Sequence, residues 1–189
     1  MALGSSRRPL TPYDVEHLSS IFKRLIAQFA RPAVEFGTLV ADPVFWGWGV
    51  QRGDGHSILA LPGLGGGDGY LQPLRIWLRR VGYQPLDSGV DVNPGWSEEL
   101  VDELAELVEW EFRRSGFKLT IISHSLGGVL AYAIAARQPH MIRQIITLAS
   151  PLRYISGALL ASVPITAFYS HADSIVRYPA ALAPDPRAR

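Results

Sequence analysis

The sequence contains no cysteine, and this absence excludes several classes of protein at once. Without thiols there is no disulfide scaffold, no thiolate metal site and no cysteine nucleophile. Lysine is also scarce, since only Lys23 and Lys118 occur, and neither stands in a phosphate-binding loop. The lack of cysteine fits a cytoplasmic location, which we expect for this chain.

The sequence also lacks a large excess of positive or negative charge. Lysine and arginine number 18 and the acidic residues 17, which leaves a net charge of +1. A nucleic-acid-binding protein usually carries a strong basic excess, so we expect no nucleic-acid partner. The first ten residues have no apolar core of a signal peptide, and no apolar run reaches the roughly 20 residues that span a bilayer. We therefore expect neither a secretory signal nor a transmembrane segment.

Short apolar runs alternate with helical periodicities from residue 57 onward. Hydrophobic residues make up 48% of the 189 residues, enough for a sizeable core. The pattern predicts strands over 57–61, 83–90, 118–123, 144–149 and 165–170, with helices over 70–81, 97–114 and 126–138. Strands that alternate with helices form parallel sheets. We expect an α/β fold with a mainly parallel sheet of about five to seven strands and helices on both faces.

The N-terminal part has a different pattern. Apolar residues at helical spacing predict an amphipathic helix from Thr11 to about Ala30. We therefore expect residues 1–35 to form a helical extension and residues 36–189 to form the α/β domain. The segment 35–51 has no clear periodicity, and its aromatic residues fit either a short strand pair or a flap.

The strongest motif runs from Ser123 to Gly128 and reads Ser-His-Ser-Leu-Gly-Gly. It follows an apolar strand and opens a helix, which is the setting of a nucleophile elbow. Ser125 would stand at the helix N-terminus, where the N–H of Leu126 can stabilise an oxyanion. Ser123 replaces the usual first glycine of the elbow. A plain strand-to-helix turn is the alternative.

A glycine-rich loop follows the first predicted strand and reads Pro-Gly-Leu-Gly-Gly-Gly-Asp-Gly over residues 62–69. A dinucleotide-binding loop would have its third glycine where Asp68 stands, so a nucleotide cofactor is not expected. The better interpretation is a loop whose Leu64 N–H provides a second oxyanion donor. A plain flexible loop is the alternative.

Asp173 follows the last predicted strand, at the same sheet edge as Ser125. A carboxylate at that edge can orient the histidine that acts as general base in a serine hydrolase. A solvated loop aspartate or a helix cap is the alternative for this residue.

These three motifs, in this order, resemble those of α/β-hydrolases of the bacterial lipase and esterase type. Residues 73–83 and the Thr-Leu-Ala-Ser-Pro sequence of residues 147–151 add to the resemblance, which covers about residues 56–178. It implies hydrolysis of carboxylic esters, with a small-molecule ester or a lipid as substrate and without a cofactor or metal.

The resemblance also implies the role of each site residue. Ser125 would be the nucleophile, Asp173 the acid of the triad, and Leu64 and Leu126 the oxyanion donors. In this fold the triad histidine follows the acid along the chain. No histidine follows Asp173 in this sequence, so the hydrolase domain is expected to be incomplete at its C-terminus.

The five histidines are best interpreted as structural or surface residues, namely His17, His56, His124, His140 and His171. His124 is expected to point away from Ser125, and His171 is the first to test as a base because it lies at the correct sheet edge. The alternative function is a non-catalytic, hydrolase-like acyl-binding module. An uncovered last strand, 165–170, predicts self-association through that edge.

Overall fold

The computed structural model describes residues 34–154 and 163–182 of the chain. Contacts within the chain divide it into two compact units, Met1–Gly49 and Val50–Arg189. The helix predicted from Thr11 onward lies outside the described residues, and the domain boundary after residue 35 stays a prediction.

The described part of the first unit is helical. Residues 34–41 form a helix, α1, and Pro43–Trp46 form a 3-10 helix. Asp42 caps the second element, because its Oδ1 accepts a hydrogen bond from the N–H of Val44 at 2.8 Å. The strand pair considered for this segment is therefore wrong. An aspartate followed by a proline favours a helical start, and the aromatic residues had obscured that signal.

Five parallel strands form one sheet in the second unit. They are β1 Ser57–Leu61, β2 Gln84–Leu86, β3 Leu119–His124, β4 Ile142–Leu148 and β5 Ile165–Phe168. Their order across the sheet is β2-β1-β3-β4-β5, and every neighbouring pair is parallel. The predicted α/β fold with a parallel sheet is confirmed.

Three of the four helices that the structure describes in this unit connect successive strands, and the last one follows β5. They are α2 Gln72–Arg80, α3 Glu98–Ser115, α4 Gly127–Arg137 and the short α5 Tyr178–Ala181. The longest, α3, begins where the Ser97 hydroxyl accepts from the N–H of Leu100 at 3.1 Å, and it ends at Gly116 with φ 74°. No described helix is both long and apolar enough to cross a membrane.

Alternation of side chains along the strands produces two separate apolar layers. Leu59, Ile121 and Ile145 are neighbours in register and belong to the layer that contains residues of α3 and α4. Ile58 and Ile122 belong to the other layer, with Leu78 of α2. Successive residues of a strand point to opposite faces, so the central strands are buried on both sides. Helices thus cover both faces of the sheet, as predicted.

All five strands run in the same direction, so their carboxyl ends lie at one edge of the sheet. The loops that carry the three sequence motifs leave β1, β3 and β5 at this edge. Ligand sites of parallel α/β sheets lie at this edge. The fold therefore brings the three predicted motifs to a common side.

Candidate active site at the carboxyl edge of the sheet

The backbone at Ser125 is left-handed, with φ 49°. Strand β3 ends at His124 and helix α4 begins at Gly127, so Ser125 and Leu126 form the turn between them. A positive φ at a residue other than glycine costs free energy and is typical of functional sites. The backbone at Ser125 is thus strained, and the role of this residue as nucleophile stays a prediction.

Hydrogen bonds and close packing hold this turn. The N–H of Ser125 donates to the carbonyl oxygen of Leu148 at 2.9 Å. A Cβ on Gly127 would lie 2.5 Å from the carbonyl oxygen of Leu61, and one on Gly128 would overlap the side chain of Ser150. The ends of β1 and β4 therefore press against the start of α4, and only glycine fits there.

Ser123 occupies the place where an elbow usually has its first glycine. Its side chain is buried, and its hydroxyl donates to the carbonyl oxygen of Ile146 on β4 at 3.3 Å. Since the hydroxyl is hydrogen-bonded within the sheet, serine is accommodated at this position.

The glycine-rich loop lies directly against the turn. A Cβ on Gly63 would lie 3.0 Å from the Cβ of Ser125, so the two segments leave little room for a side chain between them. At the other end of the loop, the carboxylate of Asp68 accepts from the Ser88 hydroxyl at 2.8 Å and from the N–H of Gly89 at 3.1 Å. The loop is thus bound to the segment after β2, which does not fit the alternative of a plain flexible loop.

Asn93 is a site residue that the sequence did not reveal. It is buried, and its side-chain amide donates to the carbonyl oxygen of Pro62 at 2.8 Å. Its backbone donates to Gly66 at 2.7 Å and accepts from Gly65 at 2.8 Å. In the sequence it stands in an ordinary Asn-Pro-Gly turn, and no local signal distinguishes a turn asparagine from one that holds a distant loop.

Two backbone N–H groups at this edge have no acceptor within the part of the chain that the structure describes. Within residues 34–154 and 163–182, the N–H groups of Leu64 and Leu126 donate to no partner. One lies in the glycine-rich loop and the other immediately before α4, where the helix dipole favours negative charge. These are the two oxyanion donors predicted from the sequence, and that role stays a prediction.

Asp173 lies in the loop after β5, at the same edge as Ser125. Its Oδ1 accepts hydrogen bonds from the N–H groups of Ile175 at 2.8 Å and Val176 at 2.9 Å. Asp173 does not cap a helix, because α5 begins only at Tyr178, and these local bonds fit the loop aspartate considered as an alternative. The same carboxylate also acts electrostatically on His124. The Asp173 carboxylate therefore both stabilises its own loop and contributes negative charge near His124.

His124 lines the same cavity as Ser125, and the expectation that its ring points away from Ser125 stays a prediction. Its ring lies 5.6 Å from that of Tyr70, and its Nδ1 lies 3.1 Å from the position that a Cβ on Gly63 would take. Side chains alternate only while the backbone is extended, and the left-handed turn at Ser125 interrupts that alternation. Both residues therefore line one cavity.

Burial and a neighbouring charge act in opposite directions on His124. Burial lowers the pKa of the imidazole, and the Asp173 carboxylate raises it, with burial the larger effect. Its Nδ1 is buried and has no hydrogen-bond partner among the described residues. Desolvation disfavours the charged ring, so burial favours the neutral form of His124.

The other described histidines do not line the cavity that contains Ser125. His56, at the amino edge, contacts Asp54 at 2.5 Å through Nδ1 and Thr120 Oγ1 at 3.2 Å through Nε2. His140 packs edge-on against an aromatic ring of α3, and His171 is exposed and stacked on Tyr178. These three fit the expected structural or surface role, and His17 lies outside the described residues.

The cavity at this edge has a volume of about 460 Å³. It is lined by Gly63, Leu64, Gly65, Gly66, Tyr70, His124, Ser125 and Ile175. Leu64, Tyr70 and Ile175 are strongly exposed, and the exposed fraction of Ile175 reaches 89%. Among the described residues no group of histidine or carboxylate side chains is arranged to hold a metal ion. The site is a small cavity with an apolar rim.

No protein-family model and no curated protein sequence matches this chain. Fifty-seven chains of solved structures do match. The monoacylglycerol lipase of Paleococcus ferrophilus is 19% identical with a TM-score of 0.42, and the match covers 54% of this chain and 41% of that one. A monoglyceride lipase of Saccharomyces cerevisiae, a soluble variant, is 21% identical with a TM-score of 0.45, and the match covers 55% and 38%.

A metagenome-derived lipolytic enzyme is also similar, at 21% identity and a TM-score of 0.45, over 59% of this chain and 48% of that one. The matches thus span less than half of each of these three solved chains. Two of these three solved proteins are lipases and the third is a lipolytic enzyme.

Proposed function

We propose that the chain carries the nucleophile of a serine hydrolase that cleaves carboxylic esters. The observation that carries the proposal is the left-handed turn at Ser125, between a buried strand and a helix N-terminus and in contact with Gly63. This strained strand-to-helix turn is the geometry that exposes a nucleophilic hydroxyl above an α/β sheet.

The proposed reaction follows from the groups around the turn. The Ser125 Oγ attacks the ester carbonyl carbon, and its proton passes to an imidazole. The N–H groups of Leu64 and Leu126 stabilise the negative charge that develops on the carbonyl oxygen. The C–O bond to the alcohol then breaks, the alcohol leaves with the proton, and water releases the acid from Ser125.

The surroundings of the cavity favour an uncharged, apolar acyl group. The exposed rim residues Leu64, Tyr70 and Ile175 present apolar surface to solvent. Burial of that surface against an acyl chain would contribute roughly 25 cal/mol per Å² removed from water. We therefore propose small-molecule esters or lipids as the substrate class.

The test is hydrolysis of p-nitrophenyl butyrate by the full chain and by two alanine variants. We expect Ser125→Ala to lose at least about a hundredfold in rate, because the nucleophile is gone and only oxyanion stabilisation remains. Ser174→Ala removes an exposed serine at the same sheet edge and should keep the full rate. Equal activity of the two variants would contradict the assignment of Ser125.

An acyl-binding module without turnover is the second candidate. It is favoured by the hydrogen bonds of Asp173 Oδ1, which two backbone N–H groups already occupy. This second function is correct if the chain binds a fluorescent fatty acid but does not cleave p-nitrophenyl butyrate. In that case a fluorophosphonate should also leave Ser125 unmodified. Leu64→Asp should then weaken fatty-acid binding, because it places a charge at the apolar rim.

A further inference from the structure

We propose that the amino edge of the sheet carries a second ligand site, which binds a small organic carboxylate. The site is a cavity of about 590 Å³, the amino-edge cavity, whose described lining comprises Asp54, Gly55, His56, Phe117, Lys118 and Arg143. Small-molecule sites typically have volumes of roughly 300–1,000 Å³. This cavity shares no lining residue with the cavity that contains Ser125, so the inference does not depend on the proposed function.

The strand order brings three polar side chains to this place. His56 directly precedes β1, Lys118 directly precedes β3, and Arg143 is the second residue of β4. These strands are neighbours in the order β1-β3-β4, and their amino ends lie at one edge. Since neighbouring strands are about 4.8 Å apart, the three residues lie side by side although they are distant in sequence.

The start of β4 is irregular at Arg143. Leu119 pairs with Ile142 and Thr120 pairs with Gln144, so Arg143 is an extra residue without a partner on β3. A bulge of this kind is rare between parallel strands, and it changes the direction of the side chain. The regular ladder is therefore interrupted at the residue of β4 that lines the amino-edge cavity.

Contacts among polar groups hold one wall of the cavity. The His56 ring contacts Asp54 Oδ1 through Nδ1 at 2.5 Å and Thr120 Oγ1 through Nε2 at 3.2 Å, and it packs edge-on against Tyr83. Asp54 Oδ2 lies 3.4 Å from Nη1 of Arg143. The hydrogen bonds from His56 hold the pKa of Asp54 well below its usual value, so its carboxylate stays ionised. The wall is thus fixed before a ligand binds, which lowers the entropy cost of binding.

Positive charge remains available in this cavity. Lys118 has no ion-pair partner among residues 34–154 and 163–182. Arg143 contacts Asp54 and His56 through Nη1 alone, so its Nε and Nη2 have no acceptor in the described part of the chain. Apart from His56, the lining has two cations and one carboxylate, a net charge of +1. One carboxylate neutralises that charge, and a guanidinium can donate to both of its oxygens.

Phe117 gives the cavity an apolar side. Its side chain is 73% exposed, and its N–H donates to the Ser115 hydroxyl at 3.2 Å, which holds the turn after α3. An aromatic ring beside two cations fits a ligand that joins an anionic group to an apolar body. A dianion without an apolar body, such as phosphate, would exceed the net charge of the lining and leave the ring in water. The observations therefore favour a monocarboxylate with an aromatic or aliphatic body.

The experiment titrates benzoate into the full chain and follows binding by saturation-transfer NMR. We expect saturable binding that weakens as salt is added, because the cations are exposed to solvent. Benzyl alcohol has the ring without the charge, and inorganic phosphate has charge without the ring. Each should bind at least about tenfold more weakly than benzoate. Equal binding of either compound would overturn the assigned class of ligand.

Charge variants test the lining residues. Lys118→Gln and Arg143→Gln each remove one exposed cation, and each should weaken benzoate binding by roughly fivefold. Arg79→Gln removes an exposed cation of α2 outside the cavity and should leave the affinity unchanged. Phe117→Ser should weaken the binding of benzoate but not of acetate, which has no ring to pack. Thermal unfolding shows whether each variant is folded.

Amide chemical shifts of the wild type locate the bound benzoate without any variant. The N–H groups of Gly55 and Lys118 should shift on titration, while that of Leu64 should not. Ser125→Ala should bind benzoate like the wild type, whatever the outcome of ester hydrolysis. Shifts confined to the cavity that contains Ser125 would overturn the proposal. So would wild-type affinity in both charge variants of the lining, or a wild-type chain that binds no benzoate at millimolar concentrations.

Discussion

The side-chain amide of Asn93 donates a buried hydrogen bond to the carbonyl oxygen of Pro62 at 2.8 Å. The bond links the segment after β2 to the glycine-rich loop after β1. Gly63, the next residue of that loop, contacts Ser125. The position of one side of the candidate site is therefore determined by a residue in another loop.

Asn93→Ala should destabilise the chain and loosen the glycine-rich loop. The substitution leaves the carbonyl of Pro62 without its donor in a buried position, which costs roughly 1–3 kcal/mol. Urea unfolding measures the loss. Gln51→Ala, at an exposed position, should stay within about 0.5 kcal/mol of the wild type. A fully stable Asn93→Ala chain would show that the loop keeps its position without this bond.

Gly127→Ala should destabilise far more than Gly69→Ala. The new Cβ at position 127 would meet the carbonyl oxygen of Leu61 at 2.5 Å, while one at position 69 meets no atom within 4 Å. Forcing a group into packed backbone costs typically 1–3 kcal/mol or more. Urea midpoints of the two variants provide the comparison, and equal midpoints would contradict the close approach of α4 to β1.

Glu111 should make stability depend on acidic pH. Its buried carboxylate accepts two hydrogen bonds from Arg114, at 2.8 and 2.9 Å, and one from Ser57. Burial raises the pKa of Glu111, but the bonds from Arg114 and Ser57 outweigh it, so the folded-state pKa lies below the usual 4.5. A lowered folded-state pKa contributes stability above 4.5 that is lost as pH falls through the folded-state value.

Glu111→Gln should therefore lower the free energy of unfolding at pH 7 by roughly 1–3 kcal/mol. Its difference from the wild type should shrink as the pH falls below 4.5. The matched control is Glu103→Gln, an exposed carboxylate of the same helix α3. Urea unfolding over a series of pH values tests both, and a difference that grows in acid would refute the sign.

Self-association through β5 is a separate prediction. Within the described residues β5 pairs only with β4, and Phe168 at its end is 57% exposed. An uncovered strand edge attracts other strands, and a lysine there discourages pairing. Phe168→Lys should shift the chain toward monomer in analytical ultracentrifugation. Phe117→Lys, an equally charged change at the amino edge, should not.

The sheet could be predicted because its strands are short apolar runs bounded by turns. The predicted strand 83–90 is the exception, since β2 ends at Leu86. Beyond that point the backbone bonds with the glycine-rich loop, where the carbonyl of Val90 accepts from Asp68 at 3.0 Å. Apolar periodicity shows that a segment is buried but not which partner takes its backbone hydrogen bonds.

Only part of the candidate site could be predicted, because residue spacing does not show which distant segments contact each other. Ser125 could be chosen as a candidate because the motif around it is local in sequence and predicts a sharp turn. The orientation of His124 depends on how the Ser125 turn packs against Gly63, and the role of Asn93 depends on a partner far away in sequence. Neither the packing against Gly63 nor the hydrogen bond of Asn93 can be predicted from the spacing of residues in the sequence.

Because the two edges of the sheet are far apart, a label or support can be coupled to this protein at the edge opposite the cavity that contains Ser125. Lys118 is exposed and directly precedes β3, whose other end leads into Ser125. The strand holds them roughly 20 Å apart at about 3.3 Å per residue. Because the whole sequence has only one other lysine, Lys23, amine-directed coupling has few positions to react with. A support or dye joined at Lys118 would leave the cavity facing outward.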